Sequence, residues 1–338
     1  MIEERKPSLI LIEGLPGSGK STMAHFLLRH LVTHDVPSIW WYEETKGHPL
    51  YLFDDAVSVQ HILDDLAAGD YRNVIAAALD KWRQFAEAVQ SSVRVVLLDS
   101  CLFGYLTWTL FPFNVPQPDI LGYLADVERI IRAVNPRLIY LHQRDVPAAL
   151  ARICARRGGP TEERLIRNAT ESPYGKQHLL HGFAGMAALW TDYRVFTDEA
   201  FARIGFAKIA IENSAGDWAE DERQALRFLG LPDVQKLFLP TDHIERFTGT
   251  YWHQENGVEQ SCAIFIQGGD LFLDGVSLVW PRSRLIVRAD MLFDVESLPF
   301  VVTFVEGASG SIERMMLTGP ELLSGPVNTI FEKRHSDF

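Results

Sequence analysis

Short apolar runs rich in β-branched residues recur through the first two thirds of the chain, at Leu9–Ile12, Ser38–Tyr42, Val93–Leu98, Leu138–Leu141 and Ala207–Ile211. Between them Met23–Leu31, Ser58–Leu66, Asn73–Gln90 and Ile120–Val134 carry apolar residues at helical spacing. This alternation predicts an α/β unit, a parallel sheet with helices on both faces. After Leu231-Pro232 the pattern changes. From about Thr241 the apolar positions fall in short segments, among them Gly249–Trp252, Cys262–Ile266, Leu271–Leu273, Arg284–Val287 and Phe300–Phe304, with Gly, Asn and Pro at close intervals between them. Such punctuation predicts a small antiparallel, all-β sheet or barrel. The boundary is expected near residue 240, with residues 1–235 and 241–338 as two domains.

Composition restricts the partners more than the fold. A length of 338 residues accommodates one large α/β domain and a smaller second one, and 47% hydrophobic with 22% charged residues is ordinary for a soluble globular protein. The formal net charge of −12 argues against a nucleic-acid polymer or an anionic membrane as partner, since both need a basic face. Cys101, Cys154 and Cys262 are an odd, widely spaced set, which speaks against a disulfide framework or a zinc site. No secretory signal is read at the start and no apolar run reaches membrane-spanning length, so a cytoplasmic protein is expected.

The strongest chemical signal is Gly14-Leu-Pro-Gly-Ser-Gly-Lys-Ser-Thr22, which fits G-x-x-x-x-G-K-[ST] between a strand-like run and a helical one. Gly14, Gly17 and Gly19 admit backbone angles that turn successive N–H groups toward a polyphosphate at the positive end of a helix. ATP is the expected nucleotide, with Gly14, Pro16, Gly17, Ser18, Gly19, Lys20, Ser21 and Thr22 as its contacts. Lys20 reaches the β- and γ-phosphates in this reading, and the Ser21 hydroxyl ligates Mg²⁺.

Phosphoryl transfer also needs charge neutralisation and a base for the acceptor hydroxyl. Asp99 closes the third apolar run, which places it at the carboxyl end of the sheet, as a partner of Mg²⁺ or as the base. Glu13, directly before Gly14, either takes the acceptor proton or hydrogen-bonds loop amides. Arg152, Arg156 and Arg157 stand in an arginine-rich stretch interrupted by Gly158-Gly159-Pro160, suited to a lid over the triphosphate. Helical spacing puts Arg152 and Arg156 on one face and Arg157 on another. Lys176, in the turn-like Ser172–Lys176, is a further candidate for phosphate. On the acceptor side stand Glu43, Glu44 and His48 after the second run, and Phe103 after Asp99, with Tyr105, Trp108 and Phe111 as an apolar wall or as core. Adjacent strand residues face opposite ways, so at least one of Trp40 and Trp41 belongs to the core. Asn213 and Gly216, after the last run, are expected beside the adenine, and Asp217 as a helix cap. The acidic residues Glu43, Glu44, Asp54 and Asp55, with no arginine between Arg29 and Arg72, favour an acceptor bearing positive charge over a nucleoside monophosphate.

Ile12-Glu13-Gly14 leading into the glycine loop, Asp99-Ser100 after the third run, and Arg152…Arg156-Arg157 together resemble the thymidylate-kinase-like branch of the P-loop kinases, which includes deoxynucleoside kinases. The resemblance covers about residues 8–230. It implies a P-loop NTPase-type sheet, Lys20 and Ser21 on phosphate and Mg²⁺, Asp99 or Glu13 as base and metal partner, and lid arginines that stabilise charge. The acidic–arginine pair often found after the third strand of this branch is Asp99-Ser100 here, and the β-rich tail is foreign to the small nucleotide kinases. The expectation is an ATP- and Mg²⁺-dependent phosphotransferase acting on a hydroxyl of a small molecule, for instance a cationic metabolite or antibiotic. A nucleoside or nucleotide kinase, and an ATP-sensing adaptor without transfer, are the alternatives.

Overall fold

The computed structural model describes residues 8–53, 55–233, 244–255 and 257–334. The chain divides into two compact units, Met1–Glu43 with Gly47–Val234, and Glu44–Lys46 with Gln235–Phe338. The expected boundary near residue 240 lies outside the described residues.

The first unit is built on five parallel strands, β1 (Leu9–Glu13), β2 (Ser38–Trp41), β3 (Val95–Asp99), β4 (Pro136–His142) and β5 (Lys208–Glu212), in the order β2-β3-β1-β4-β5. Every residue of β1 is buried, because helices cover both faces and leave no polar side to the strand. Leu9 and Leu11 join Val96, Leu98, Leu138 and Tyr140 in the core on one face. The alternate residues Ile10, Ile12, Leu97, Ile139 and Leu141 are equally buried on the other.

Among the described residues ten α-helices connect and cover the strands: α1 (Lys20–Thr33), α2 (Ala56–Ala68), α3 (Tyr71–Gln90), α4 (Leu106–Leu110), α5 (Gln117–Ile131), α6 (Val146–Arg157), α7 (Gly159–Thr170), α8 (Pro173–Gln177), α9 (Gly182–Arg203) and α10 (Trp218–Leu229). Helices α1 and α10 pack together and against the strands, whereas α3 packs on α5, and α9 on α6 and α7. The arginine-rich stretch is two helices. α6 ends where Gly158 adopts φ 88°, and α7 starts at the next residue.

The second unit is a closed antiparallel barrel of eight strands: β6 (Gly249–Glu255), β7 (Val258–Gln267), β8 (Asp270–Asp274), β9 (Ser283–Ala289), β10 (Leu292–Val295), β11 (Val301–Glu306), β12 (Ile312–Thr318) and β13 (Thr329–Lys333). Each strand pairs with the next, and β13 returns to β6. Gly268 and Gly269 both have positive φ and make the two-residue turn from β7 to β8, where Gln267 pairs with Asp270. Tyr251, Ile264, Leu273, Leu285, Phe293, Val302, Phe304, Met315 and Phe331 fill the interior. A 3-10 turn at Ile244–Phe247 supplies Phe247 to this core, with its ring against Phe293 and Phe304 at 5.0 and 4.6 Å between centroids. Tyr251 Oη and Lys333 Nζ donate to the carbonyls of Phe247 and Arg246, at 2.7 and 3.0 Å, and fasten that turn.

The fold is therefore the one the hydrophobic pattern indicates, with the β-rich part resolved as a barrel rather than an open sheet. Among the described residues no helix is long and apolar enough to cross a membrane.

Candidate active site

Strand β1 ends at the centre of the sheet, and the glycine loop leaves it with little room for side chains. Gly14 has φ 152°, and a Cβ there would strike the carbonyl of Leu141 and the Ser18 hydroxyl. At Gly17, φ 80°, a Cβ would stand 3.3 Å from the carbonyl of Ala149 and 3.4 Å from Ile153, so the loop lies against α6. Gly19, φ 88°, meets the indole of Trp218. Two side chains draw loop carbonyls outward: Asn213 Nδ2 donates to Ser18 O at 2.5 Å and Gln143 Nε2 to Gly17 O at 3.5 Å. In a trans peptide the N–H points opposite to the carbonyl, so the Gly19 N–H turns the other way, while the Ser18 N–H donates to Leu15 O at 3.1 Å. Gly19 also caps α1, which adds that helix's positive end to the same concavity. Lys20 Nζ curls back to the Leu15 carbonyl at 3.2 Å.

Across from the loop, β3 pairs with β1 so that Asp99 stands opposite Ile12. Asp99 has no exposure and accepts from two side chains, the Ser21 hydroxyl at 2.7 Å and Trp40 Nε1 at 3.1 Å. Burial, with the nearby charge of Glu43 adding, pushes its carboxyl up to about 7, against the pull of these two bonds and of Lys20. Ser21, Asp99, Lys20 and Glu43 thus share one electrostatic neighbourhood. Lys20 and Glu43 are the half-buried members of the set, and Glu43 is the half-buried carboxylate.

Glu13 serves differently. Its carboxylate is fully buried and accepts three backbone N–H bonds, Oε1 from Cys101 and Leu102 at 2.9 and 2.6 Å, and Oε2 from Phe103 at 3.0 Å. Burial raises it to about 7 although those bonds favour the ionised form. Of the two roles read for Glu13, the geometry displays the bonding of loop amides, here those of the loop after β3.

His48 is buried, stacked on Tyr51 at 4.2 Å, with Nε2 3.5 Å from Cys101 Sγ; burial pushes it down to about 3 and keeps it neutral. The Tyr51 hydroxyl donates to the Glu43 carbonyl, and its ring meets Phe53 and Tyr105 at 5.0 and 4.5 Å. An aromatic group therefore borders Glu43 on the β2 side. Phe103 and Phe111 are core residues, and Trp108 stacks flat on Trp190 at 3.6 Å, so the apolar wall read after Asp99 is packing. Tyr105 alone of that set turns to the β2 side, where its hydroxyl accepts from Leu52 N at 2.8 Å.

The remaining candidates scatter. Arg152 donates to Gln143 Oε1 at 2.8 Å, one bond removed from the loop, and Arg156 follows one helical turn later on α6. Arg157 is the last residue of α6. Lys176 is exposed on α8, whose Tyr174 packs on Phe111. Glu44 groups with the second unit, where its carbonyl accepts from Leu323 N at 2.9 Å. Asp54 lies outside the described residues, and Asp55 is the cap of α2, bonded to Ser58 N at 2.8 Å. Asn213 braces the loop through Ser18, and Gly216, φ 69°, donates to Asn213 O in a turn. Asp217 caps α10. Pro16 and Thr22 are half-buried on the loop and the first turn of α1. Sequence reading missed the Trp40 bond to Asp99, the Gln143 bridge and Trp218. The first two join residues far apart along the chain, which no spacing reveals.

The donors suit a hard cation only in part. Among the described residues no group of three or more His, Cys, Asp or Glu could hold a metal. One hydroxyl and one carboxylate, Ser21 and Asp99, fit Mg²⁺ of the kind completed by phosphate oxygens and water.

No family model matches the chain, and no curated protein matches it. Solved structures do match, among them deoxyadenosine kinase from M. mycoides with bound dATP, at 16% identity over 66% of this chain and 99% of that one, with a TM-score of 0.37. The fold assignment stands on the strand order, the glycine loop and the barrel of this chain itself.

Proposed function

We propose that the chain is an ATP- and Mg²⁺-dependent phosphotransferase that moves the γ-phosphoryl group to a hydroxyl of a small molecule. The observation that carries this reading is the meeting of Ser21, Lys20, Asp99 and Glu43 beside a glycine loop whose carbonyls are drawn outward. Loop N–H groups and Lys20 would bind the phosphates, and Ser21 and Asp99 would hold Mg²⁺. Bound there, the cation neutralises charge on the phosphates. Lys20 exchanges its bond to Leu15 O for phosphate oxygens and follows the charge that moves onto the leaving oxygen. Arg152, linked to the loop through Gln143, and Arg156 on the same helix would stabilise the charge on the phosphates.

Glu43 is the carboxylate best suited as base, since both oxygens of Glu13 and of Asp99 already accept hydrogen bonds. It takes the acceptor's hydroxyl proton as the acceptor oxygen bonds to the γ-phosphorus. The bond from that phosphorus to the β,γ-bridging oxygen then breaks, and ADP leaves. An acceptor end with Glu43 and Asp99, bordered by Tyr51, Phe53 and Tyr105, favours a neutral or cationic hydroxyl compound over a phosphorylated one.

The test is a scan of hydroxyl acceptors, cationic compounds and nucleosides included, with γ-labelled ATP. Label should pass to at least one acceptor, and Lys20→Ala should lower the rate about 10²–10³-fold. Slow release of inorganic phosphate with no labelled acceptor would overturn the proposal.

A further inference from the structure

We propose that Trp218 is the platform on which the base of the bound nucleotide stacks, so that the donor subsite takes a purine nucleoside triphosphate; this rests on the phosphotransferase reading above. The sheet order sets the direction. Asp99 on β3 and Glu43 beyond β2 lie to one side of β1, and β4 and β5 lie to the other. A triphosphate with its γ end at Lys20 and Asp99 leaves its sugar and base on the β5 side of the loop.

There the segment from β5 to α10 is firmly seated. Asn213 N donates to His142 O at 2.9 Å while its side chain holds Ser18 O, Gly216 N closes a turn onto Asn213 O at 3.2 Å, and the Asp217 side chain accepts from Glu220 N at 3.2 Å. Trp218 follows as the first residue of α10, half-buried. It meets Gly19 with the rim of its benzene half, Cη2 and Cζ2, the latter 2.7 Å from where a Cβ would stand. A rim contact leaves a ring face for a ligand. Trp40, Trp41, Trp82, Trp108 and Trp190 each have another aromatic ring as neighbour, and among the described residues Trp218 has none. A seated two-ring surface next to the phosphate loop matches the two rings of a purine, and stacking of a base on an aromatic side chain is tolerant of which purine it is.

The experiment compares magnesium-ATP with magnesium-tripolyphosphate by calorimetry on the full chain, for the wild type, Trp218→Leu and Trp218→Phe. Trp218→Leu should weaken ATP binding about 10-fold or more and leave tripolyphosphate unchanged, with Trp218→Phe within about threefold of wild type. ATP should also quench tryptophan emission in the wild type by an amount that tripolyphosphate and Trp218→Phe do not show. Equal loss for both ligands would mean that Trp218 only props Gly19, and undiminished ATP binding by Trp218→Leu would mean that the base lies elsewhere; either overturns the platform. Binding of neither ligand by the wild type would instead remove the triphosphate reading on which the platform depends.

Discussion

A carboxylate held out of water between an indole N–H and a serine hydroxyl, as Asp99 is, stays charged only at a cost. Its ordinary range is near 4, and in the folded chain it lies at about 7. Between those values the folded chain keeps a proton that the unfolded chain has released, so stability from this group falls as pH rises from about 4 to about 7. Asp99→Asn removes that dependence, and its amide can still accept from Trp40 and donate to Ser21. Without nucleotide the variant should be more stable than wild type at pH 8, on the order of 3 kcal/mol, and close to it at pH 4. Thermal melting at the two pH values checks this. The same substitution should cut phosphoryl transfer at least 10²-fold. In the wild type, kcat/KM should lose activity below an apparent pKa near 7, the pH at which free Asp99 takes up its proton. A stability that does not change between pH 4 and pH 8 would contradict the account.

At the scale of elements, Glu13 ties the end of β1 to the loop after β3. With Gln in its place, Oε1 keeps the Cys101 and Leu102 N–H bonds, but an NH₂ group then faces the Phe103 N–H. Glu13→Gln should therefore cost about 1–3 kcal/mol, seen as a lower melting temperature at pH 5, where the wild-type carboxyl is protonated in the folded chain, because one buried donor is left without an acceptor. The glycine loop and the central strands β1, β3 and β4 were legible because strands buried on both faces read as continuous apolar runs. Their limits shift where context decides. Val93 is apolar yet 89% exposed, since the ladder begins at Val95, whose N–H pairs with Pro37 O. Helix α9 was illegible for the opposite reason: Met186, Leu189, Trp190, Tyr193, Phe196 and Ala200 bury so wide a stripe that its periodicity is blurred. At the site, adjacency along the chain placed Glu13, Gly14 and Lys20. The contacts of Trp40, Gln143 and Trp218 arise from strand order and helix packing.

Over the whole molecule, two cores form around different principles, one between helices and a sheet and the other inside a closed wall of strands. Phe247 stands at one end of the second core, sealed by the Tyr251 and Lys333 bonds to its turn. Phe247→Ala should destabilise the barrel by about 3–5 kcal/mol. The measurement is denaturant unfolding with and without magnesium-ATP, where the transition that nucleotide leaves unmoved should drop; an unchanged transition would show the ring to be dispensable. The return of β13 to β6 has its own consequence. Thr329–Lys333 is the last of the barrel's eight strands along the chain, yet it pairs with the first. On the ribosome, β6 can pair with β7 early, but its other edge must wait unmatched until some eighty later residues have emerged. New termini cut into the Gly268-Gly269 turn would relocate that wait without altering the finished wall.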